Sequence, residues 1–354
     1  MEQKNFSLKI SFEESVCVKD AKLLGVDSPG ISADMQTNTF TGYVCYYNVF
    51  TLSVTYVVEG GKEEKYINMP LFLQPGETKL FFKEAPGQYI LSGASSGSYT
   101  IFKELQIKDG ALIKKIQSAT TRLNHSLENE DKSFIQKMQD SINCLQNERR
   151  ESIYGDFVRK NPHSIMSLYA LHMYGDINIE NPLEVEKLIK ILADSLQKTA
   201  EVFALKGKVE EAKKIMVGQH APAFSQTDTS GKVLNLEELR GQYILINFWA
   251  SWCRPCRAQH PAFVKLFGKF RNKGFNILGV SIDSQKEAWI KAINDDHLDW
   301  LHVSDLKLWQ NEAAVVYNIS SVPQNYLLDK EGKIIAKNLT DQELSTMLDQ
   351  ITAE

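Results

Sequence analysis

No stretch of this chain is apolar for long enough to cross a membrane as a helix. Met1-Glu2-Gln3-Lys4-Asn5-Phe6 does not carry the apolar segment of a secretory signal. Read literally, that predicts a cytoplasmic protein; a leader exchanged for a bare Met would leave the same start. Excess charge of one sign is missing too. With 40 basic and 44 acidic side chains the net charge is −4, which gives no electrostatic argument for nucleic acid. Lysine and arginine form no block that would mark a membrane patch. Cysteine is scarce and odd in number: Cys17, Cys45, Cys144, Cys253 and Cys256. At least one is therefore unpaired within the chain. Cys17 and Cys45 could be bridged if their strands lie side by side, but Cys17, Cys45 and Cys144 read better as small buried hydrophobes. Repeated metal-ligand spacing is absent. One C-x-x-C stands alone, with His260 four residues after Cys256, so the closed tetrahedral set of a zinc site is incomplete and no metal is expected.

What is present is globular in character. The 354 residues are 43% hydrophobic and 24% charged, enough for two or three domains at roughly 150 residues each. One stretch organises the chain: Trp249-Ala250-Ser251-Trp252-Cys253-Arg254-Pro255-Cys256-Arg257. Tyr243-Ile244-Leu245-Ile246-Asn247-Phe248 before it reads as a buried strand. After it, Phe263, Leu266, Phe267 and Phe270 recur at helical spacing. The cysteines thus fall where a strand hands over to a helix N-terminus. Free backbone N–H groups and the helix dipole favour negative charge there. A thiolate is such a charge and is the nucleophile of disulfide exchange. At this spacing the second sulfur can reach back and release a mixed disulfide.

Residues 1–110 read as a small, sandwich-like all-β domain. Phe6-Ser7-Leu8-Lys9-Ile10 and Thr51 to Val58 alternate at period two, and Glu59-Gly60-Gly61-Lys62 and Pro75-Gly76 are turn signals. The strand pattern extends to about residue 107. No cluster of catalytic types occurs there, so an interaction or spacer module is expected. Residues 111–216 read as a helical region or linker. Phe134, Met138, Ile142 and Leu145 share one helix face, Asn161-Pro162 breaks that helix, and Asn181-Pro182 starts another with Asn as N-cap. Residues 217–354 alternate strand and helix. Asp228 to Lys232 is a hairpin turn, Phe275 to Ile282 a buried strand, Leu308 to Tyr317 a helix, Asn325 to Leu328 a strand, and Asp341 to Ile351 the last helix. That order implies an α/β domain with a central sheet covered on both faces.

Residues 217–354 resemble the thioredoxin superfamily, in its TlpA-like and ResA-like branch of thiol-disulfide oxidoreductases. The likeness is carried by Trp252-Cys253-Arg254-Pro255-Cys256, by Pro261 inside the following helix, by Ser321-Val322-Pro323-Gln324, and by the extra strand and helix at about 283–303. Less closely, residues 1–215 are similar to the region that precedes thioredoxin modules in Bacteroidetes envelope proteins, through Met69 to Gly76 and Leu91 to Ser96. The resemblance implies a C-terminal thioredoxin fold and no cofactor beyond the redox-active disulfide Cys253–Cys256. It implies protein disulfides and dithiols as partners, a membrane electron donor, and a place in the periplasm or cell envelope. It also implies roles. Cys253 would be the exposed attacking thiolate, and Cys256, deeper, the resolving thiol. From its place between the two cysteines, Arg254 would either favour the thiolate or be a solvated surface charge. Pro255 would restrain the turn, and Trp252 would cover the sulfurs and offer an apolar docking surface. Pro323 would be cis, and the Val322 backbone would pair with the bound substrate as an added strand.

Two other functions compete. A thiol-dependent peroxidase of the alkyl hydroperoxide reductase/thiol-specific antioxidant type would want a Pro-x-x-x-Thr/Ser-x-x-Cys run; Asn247 to Trp252 lack that proline. A non-catalytic docking module would not need both cysteines. The chain also departs from its relatives at two acid positions. Asn247 stands where many thioredoxins carry a buried Asp, and Gln259 where ResA-like members carry a Glu. Amides do not titrate. His260 is next in line as a proton carrier, but a surface or packing role is the plainer expectation for it. Exchange near neutral pH should therefore be slower than in acid-bearing relatives, and Gln259→Glu is expected to raise the rate of disulfide reduction at pH 7.

Overall fold

The computed structural model describes residues 4–25, 31–44, 48–84, 88–126, 132–175, 179 and 181–353. They form two compact units. The first takes in Met1–Leu123, Gln136–Tyr174 and Lys187–Leu205; the second takes in Asn124–Ile135, Gly175–Glu186 and Lys206–Glu354.

The first unit is built on eight strands: β1 (Lys4–Phe12), β2 (Val16–Gly25), β3 (Ser32–Asp34), β4 (Thr39–Val44), β5 (Asn48–Val58), β6 (Glu64–Leu73), β7 (Gly76–Glu84) and β8 (Gln88–Gly93). They make a five-stranded sheet in the order β3-β4-β1-β7-β8 and a three-stranded sheet in the order β2-β5-β6. Alternation decides the packing. Phe6, Leu8 and Ile10 of β1 and Phe50, Leu52, Val54 and Tyr56 of β5 are all buried. Their rings meet across the sheets, Phe6 on Phe50 at 5.7 Å and Phe12 on Tyr56 at 5.2 Å. This is a sandwich with alternate residues turned inward.

Helices follow sooner than expected. α1 (Ser96–Ser126) begins at Ser96, so the strand reading of residues up to 107 is corrected. Ser96-Gly97-Ser98-Tyr99-Thr100 is poor in helix formers. Burial overrides that weakness, because Tyr99, Phe102, Leu105 and Leu112 recur on one helical face and are buried. Phe102 packs on Phe72 and Tyr169 at 5.8 and 5.2 Å. α2 (Lys132–Glu148) runs through a π-helical stretch, Arg149–Gly155, into α3 (Asp156–Lys160), which stops before Asn161-Pro162 as the sequence implies. α4 (Met166–Tyr174), α5 (Pro182–Ile191), α6 (Asp194–Gln197) and α7 (Ala200–Lys213) complete the helical region. The Asn181 side chain accepts the Glu184 N–H at 3.3 Å, an N-cap before Pro182.

Cys17 and Cys144 are free and exposed, not buried. Cys17 lies on the outer face of β2, and Cys144 lies two residues from buried Ile142, on the solvent side of α2. Cys45 is outside the described residues.

The second unit holds a small hairpin, β9 (Ser225–Thr227) with β10 (Val233–Asn235), closed by the Asp228–Lys232 turn. The main elements are β11 (Tyr243–Trp249), α8 (Arg254–Phe270), β12 (Phe275–Ser281), α9 (Lys286–Asp295), β13 (Leu301–Val303), α10 (Glu312–Val316), β14 (Gln324–Leu328), β15 (Ile334–Lys337) and α11 (Asp341–Ile351). The sheet order is β13-β12-β11-β14-β15. β11, β12 and β13 are parallel, while β14 runs antiparallel to β11 and β15. Six of the seven residues of β11 and six of β12 are buried without alternation, so both faces of the sheet are covered.

The helix expected over 308–317 is divided. Leu308–Gln310 is a separate 3-10 turn, and α10 starts after Asn311. Buried Asn311 caps α10, accepting the Ala314 N–H at 3.0 Å, and its side-chain oxygen also receives Gln226 Nε2 at 2.8 Å. A side chain that bonds the backbone in this way ends one element and begins the next.

Candidate functional site

The site lies at the carboxyl ends of β11 and β12. β11 ends at Trp249, and the chain crosses Ala250 to Trp252 before Cys253 caps α8. Cys253 is in an extended conformation (φ −81°, ψ 97°), and its Sγ accepts the Cys256 N–H at 3.2 Å. Pro255 sits in the first turn, where its missing N–H costs nothing. Cys253 and Cys256 are joined as a disulfide. The expectation of an exposed Cys253 is corrected: it is 4% accessible and Cys256 1%. Its seat as N-cap turns the sulfur inward, toward the backbone and the second cysteine. On reduction a Cys253 thiolate would face the N-terminal N–H groups of α8, which lower a thiol pKa.

Asp283 holds the loop before Cys253. This carboxylate is 2% exposed and follows β12. It accepts the Ser251 N–H at 2.9 Å, the Ser251 hydroxyl at 2.6 Å and the Ser281 hydroxyl at 2.7 Å. Sequence reasoning passed over it. An acidic residue just past the end of a buried parallel strand was the available signal, since that end of a sheet is where sites form.

The Val322–Pro323 bond is cis. β14 begins at the next residue, and its last registered pair with β11 is Phe248 with Gln324. Val322 and Pro323 therefore stand at the same end of the sheet as the cysteines. Val322 is half-buried; Arg254 and Pro255 are exposed. Trp252 is 54% exposed and packs edge to face on Trp309, ring centroids 6.1 Å apart. Trp309 was also missed. It is 42% exposed beside Leu308, whose φ of 53° is unusual for a residue with a side chain.

Behind the cysteines is a buried polar layer. His260 is not on the surface; it is 0% exposed on α8. Its Nδ1 lies 2.7 Å from Asp296 Oδ2, and Arg257 grips Asp296 through Nε and Nη2, both at 2.6 Å. The His260 ring packs on Trp249 at 4.9 Å, and His302 packs on Trp249 at 5.8 Å. Gly279 makes the second contact possible, because a Cβ there would meet His302 Nδ1 at 2.5 Å. Asn247 is 2% exposed and its Oδ1 has no partner among the described residues; the same holds for Gln259 Oε1, His260 Nε2 and Trp249 Nε1. Burial lowers the His260 pKa, opposed by the Asp296 hydrogen bond. Burial alone would raise Asp296, but hydrogen bonds from Arg257 and His260 hold it below the usual carboxylate range.

Residues 217–337 match the AhpC/TSA family. The thiol-disulfide oxidoreductase ResA of Geobacillus kaustophilus is 30% identical over 140 residues, 39% of this chain and 79% of that protein. The thioredoxin-like protein YneN of Bacillus subtilis is 33% identical over 141 residues, 38% of this chain and 80% of that protein. A solved thiol-disulfide oxidoreductase from Bacteroides fragilis is 37% identical, covering 38% of this chain and 99% of that one, with a TM-score of 0.36.

Acid should destabilise this unit through His302. Burial pushes its pKa down to about 3, and only the Leu298 carbonyl bond pulls it upward. Unfolded, the same group titrates near 6.5. Between those values the unfolded chain binds the extra proton, so stability rises with pH and is lost as pH falls from 6.5 toward 3. The full shift corresponds to roughly 5 kcal/mol as an upper bound. Asp296, held low when folded, adds to the loss in the same direction at acid pH. Urea midpoints read by tryptophan fluorescence should fall steeply between pH 6.5 and 4, and less so in His302→Asn.

Proposed function

We propose, because the chain belongs to the ResA-like and TlpA-like thiol-disulfide oxidoreductases of the thioredoxin superfamily, that it reduces disulfides in other proteins through Cys253 and Cys256. The observation that carries this reading is the cysteine pair itself: one disulfide, three residues apart, seated on the first turn of α8 with Cys253 Sγ facing a backbone N–H. Cys253, the more accessible of the two, would attack the substrate disulfide as a thiolate, and Cys256 would displace the substrate from the mixed disulfide. Trp252 and Trp309 would give the substrate an apolar surface beside the sulfurs. Val322 and Pro323, at the same sheet end, would receive its backbone as an added strand. The redox disulfide would serve in place of a cofactor.

The AhpC/TSA match fits a thiol peroxidase as well, yet the second cysteine within one turn supports dithiol exchange over peroxide chemistry. The family resemblance also supports action in the periplasm or cell envelope, with electrons arriving from a membrane donor; no described helix is long and apolar enough to cross a membrane.

Trapping tests the division of labour. Reduced Cys256→Ser, mixed with a protein disulfide, should accumulate a mixed disulfide through Cys253 that is visible on a non-reducing gel and lost with dithiothreitol. Cys253→Ser should accumulate none.

A further inference from the structure

We propose that buried His260, oriented by half-buried Asp296, takes the proton of the Cys256 thiol during disulfide exchange, in the absence of a carboxylate at positions 247 and 259. This rests on the oxidoreductase reading above.

Geometry carries the assignment. Cys256 and His260 are four residues apart on α8, hence neighbours on one helix face. Both are almost wholly buried. Asp296 Oδ2 stands 2.7 Å from His260 Nδ1. A carboxylate can only accept, so Nδ1 carries the hydrogen and Nε2 presents a lone pair. That Nε2 is buried and has no hydrogen-bond partner among the described residues. An unpartnered acceptor is costly in a core. His260 belongs to the helix face that also carries the resolving Cys256. An imidazole oriented by a carboxylate beside a nucleophile is the usual arrangement for activating one.

The surroundings favour a neutral ring that can gain a proton. Trp249 of β11 covers one side, with His302 of β13 beyond it. Arg257, on the same helix, is held by Asp296 and stands 3.8 Å from Asp295, which also pairs with Lys291. Burial keeps His260 neutral near pH 7, while Asp296 is charged and can stabilise the imidazolium once formed. Asn247 and Gln259, whose side-chain oxygens are also buried without a partner among the described residues, cannot titrate.

The step balances. After the Cys253 thiolate has bonded to one substrate sulfur and the other has left as a thiolate that takes a proton from solvent, the Cys256 S–H bond breaks and its proton passes to His260 Nε2. The Cys256 thiolate attacks Cys253 Sγ. The Cys253–Cys256 bond forms as the bond from Cys253 to the substrate sulfur breaks. The leaving thiolate is protonated by the imidazolium or by solvent. Two electrons pass from the cysteine pair to the substrate disulfide.

The test uses the full-length reduced chain with Cys17, Cys45 and Cys144 changed to Ser, mixed with excess 5,5′-dithiobis(2-nitrobenzoate) in a stopped-flow instrument. The first coloured thiolate reports attack by Cys253; the second reports closure by Cys256. At pH 7, His260→Gln is expected to slow the second release at least about tenfold, toward the hundredfold typical of a lost general base, with the first release changed less than about twofold. The gap should narrow as pH rises, because hydroxide increasingly replaces the base in removing the proton. Asp296→Asn, which keeps a hydrogen-bond acceptor, should slow the second release less and over the same pH range. An unchanged second release in folded His260→Gln overturns the proposal. So do two releases slowed equally at every pH, which would mark a structural role. Should His260→Gln not fold, Asp296→Asn decides on the same criterion. A reduced parent protein that gives no second release at any pH would overturn the oxidoreductase reading itself.

Discussion

The hydrogen bond from the Cys256 N–H to Cys253 Sγ ties the redox pair to the first turn of α8. A sulfur in the N-cap position needs a strand that ends on time, a loop of fixed length and a helix whose first N–H groups are free. The second unit supplies each of these. β11 is buried at six of its seven residues and stops at Trp249. Asp283 secures Ser251, the turning point between strand and cap. Pro255 occupies a first-turn position that needs no donor. An ordinary oxygen N-cap is worth about 1 kcal/mol to its helix. The larger effect of the sulfur is chemical, since the donors that cap the helix are those that would hold a thiolate.

Much of this was legible because the local rules agree with one another. The unbroken apolar run of β11, the Cys-x-x-Cys spacing and the periodic Phe263, Leu266 and Phe270 all point to one strand–helix junction. The Asp228–Lys232 turn and the start of α5 after Asn181 follow from side chains that bond their own backbone. The cis bond at Val322–Pro323 was expected from the family resemblance. α1 was legible only in part: its early turns are rich in Gly, Ser and Thr, and it is helical there because Tyr99 and Phe102 are buried in the first unit. Exposure of Cys17 and Cys144 was misjudged because residue type says less about burial than the face of the element on which a residue falls.

What the sequence hid has a common cause. Asp283 and Ser251 are 32 residues apart, His260 and Asp296 are 36 apart, and Trp252 and Trp309 are 57 apart, and each pair meets only when the sheet forms. For His260, next to an amide, a surface or packing role was the plainer expectation. Folding places it in the core, against Trp249 and a carboxylate gripped by Arg257. The amides at positions 247 and 259 are thus accompanied by a buried imidazole on α8 whose carboxylate partner comes from the end of α9.

The reduction potential of the Cys253–Cys256 pair tests the central claim most directly. It can be measured on the full chain by equilibration in a glutathione or dithiothreitol series, with thiols counted by alkylation and mass. A single two-electron transition within roughly −270 to −120 mV, the span of dithiols in thioredoxin-fold enzymes, is the result this account predicts, and a value near the lower end marks a reductase. A pair that stays oxidised below roughly −300 mV would be a structural disulfide and would contradict it.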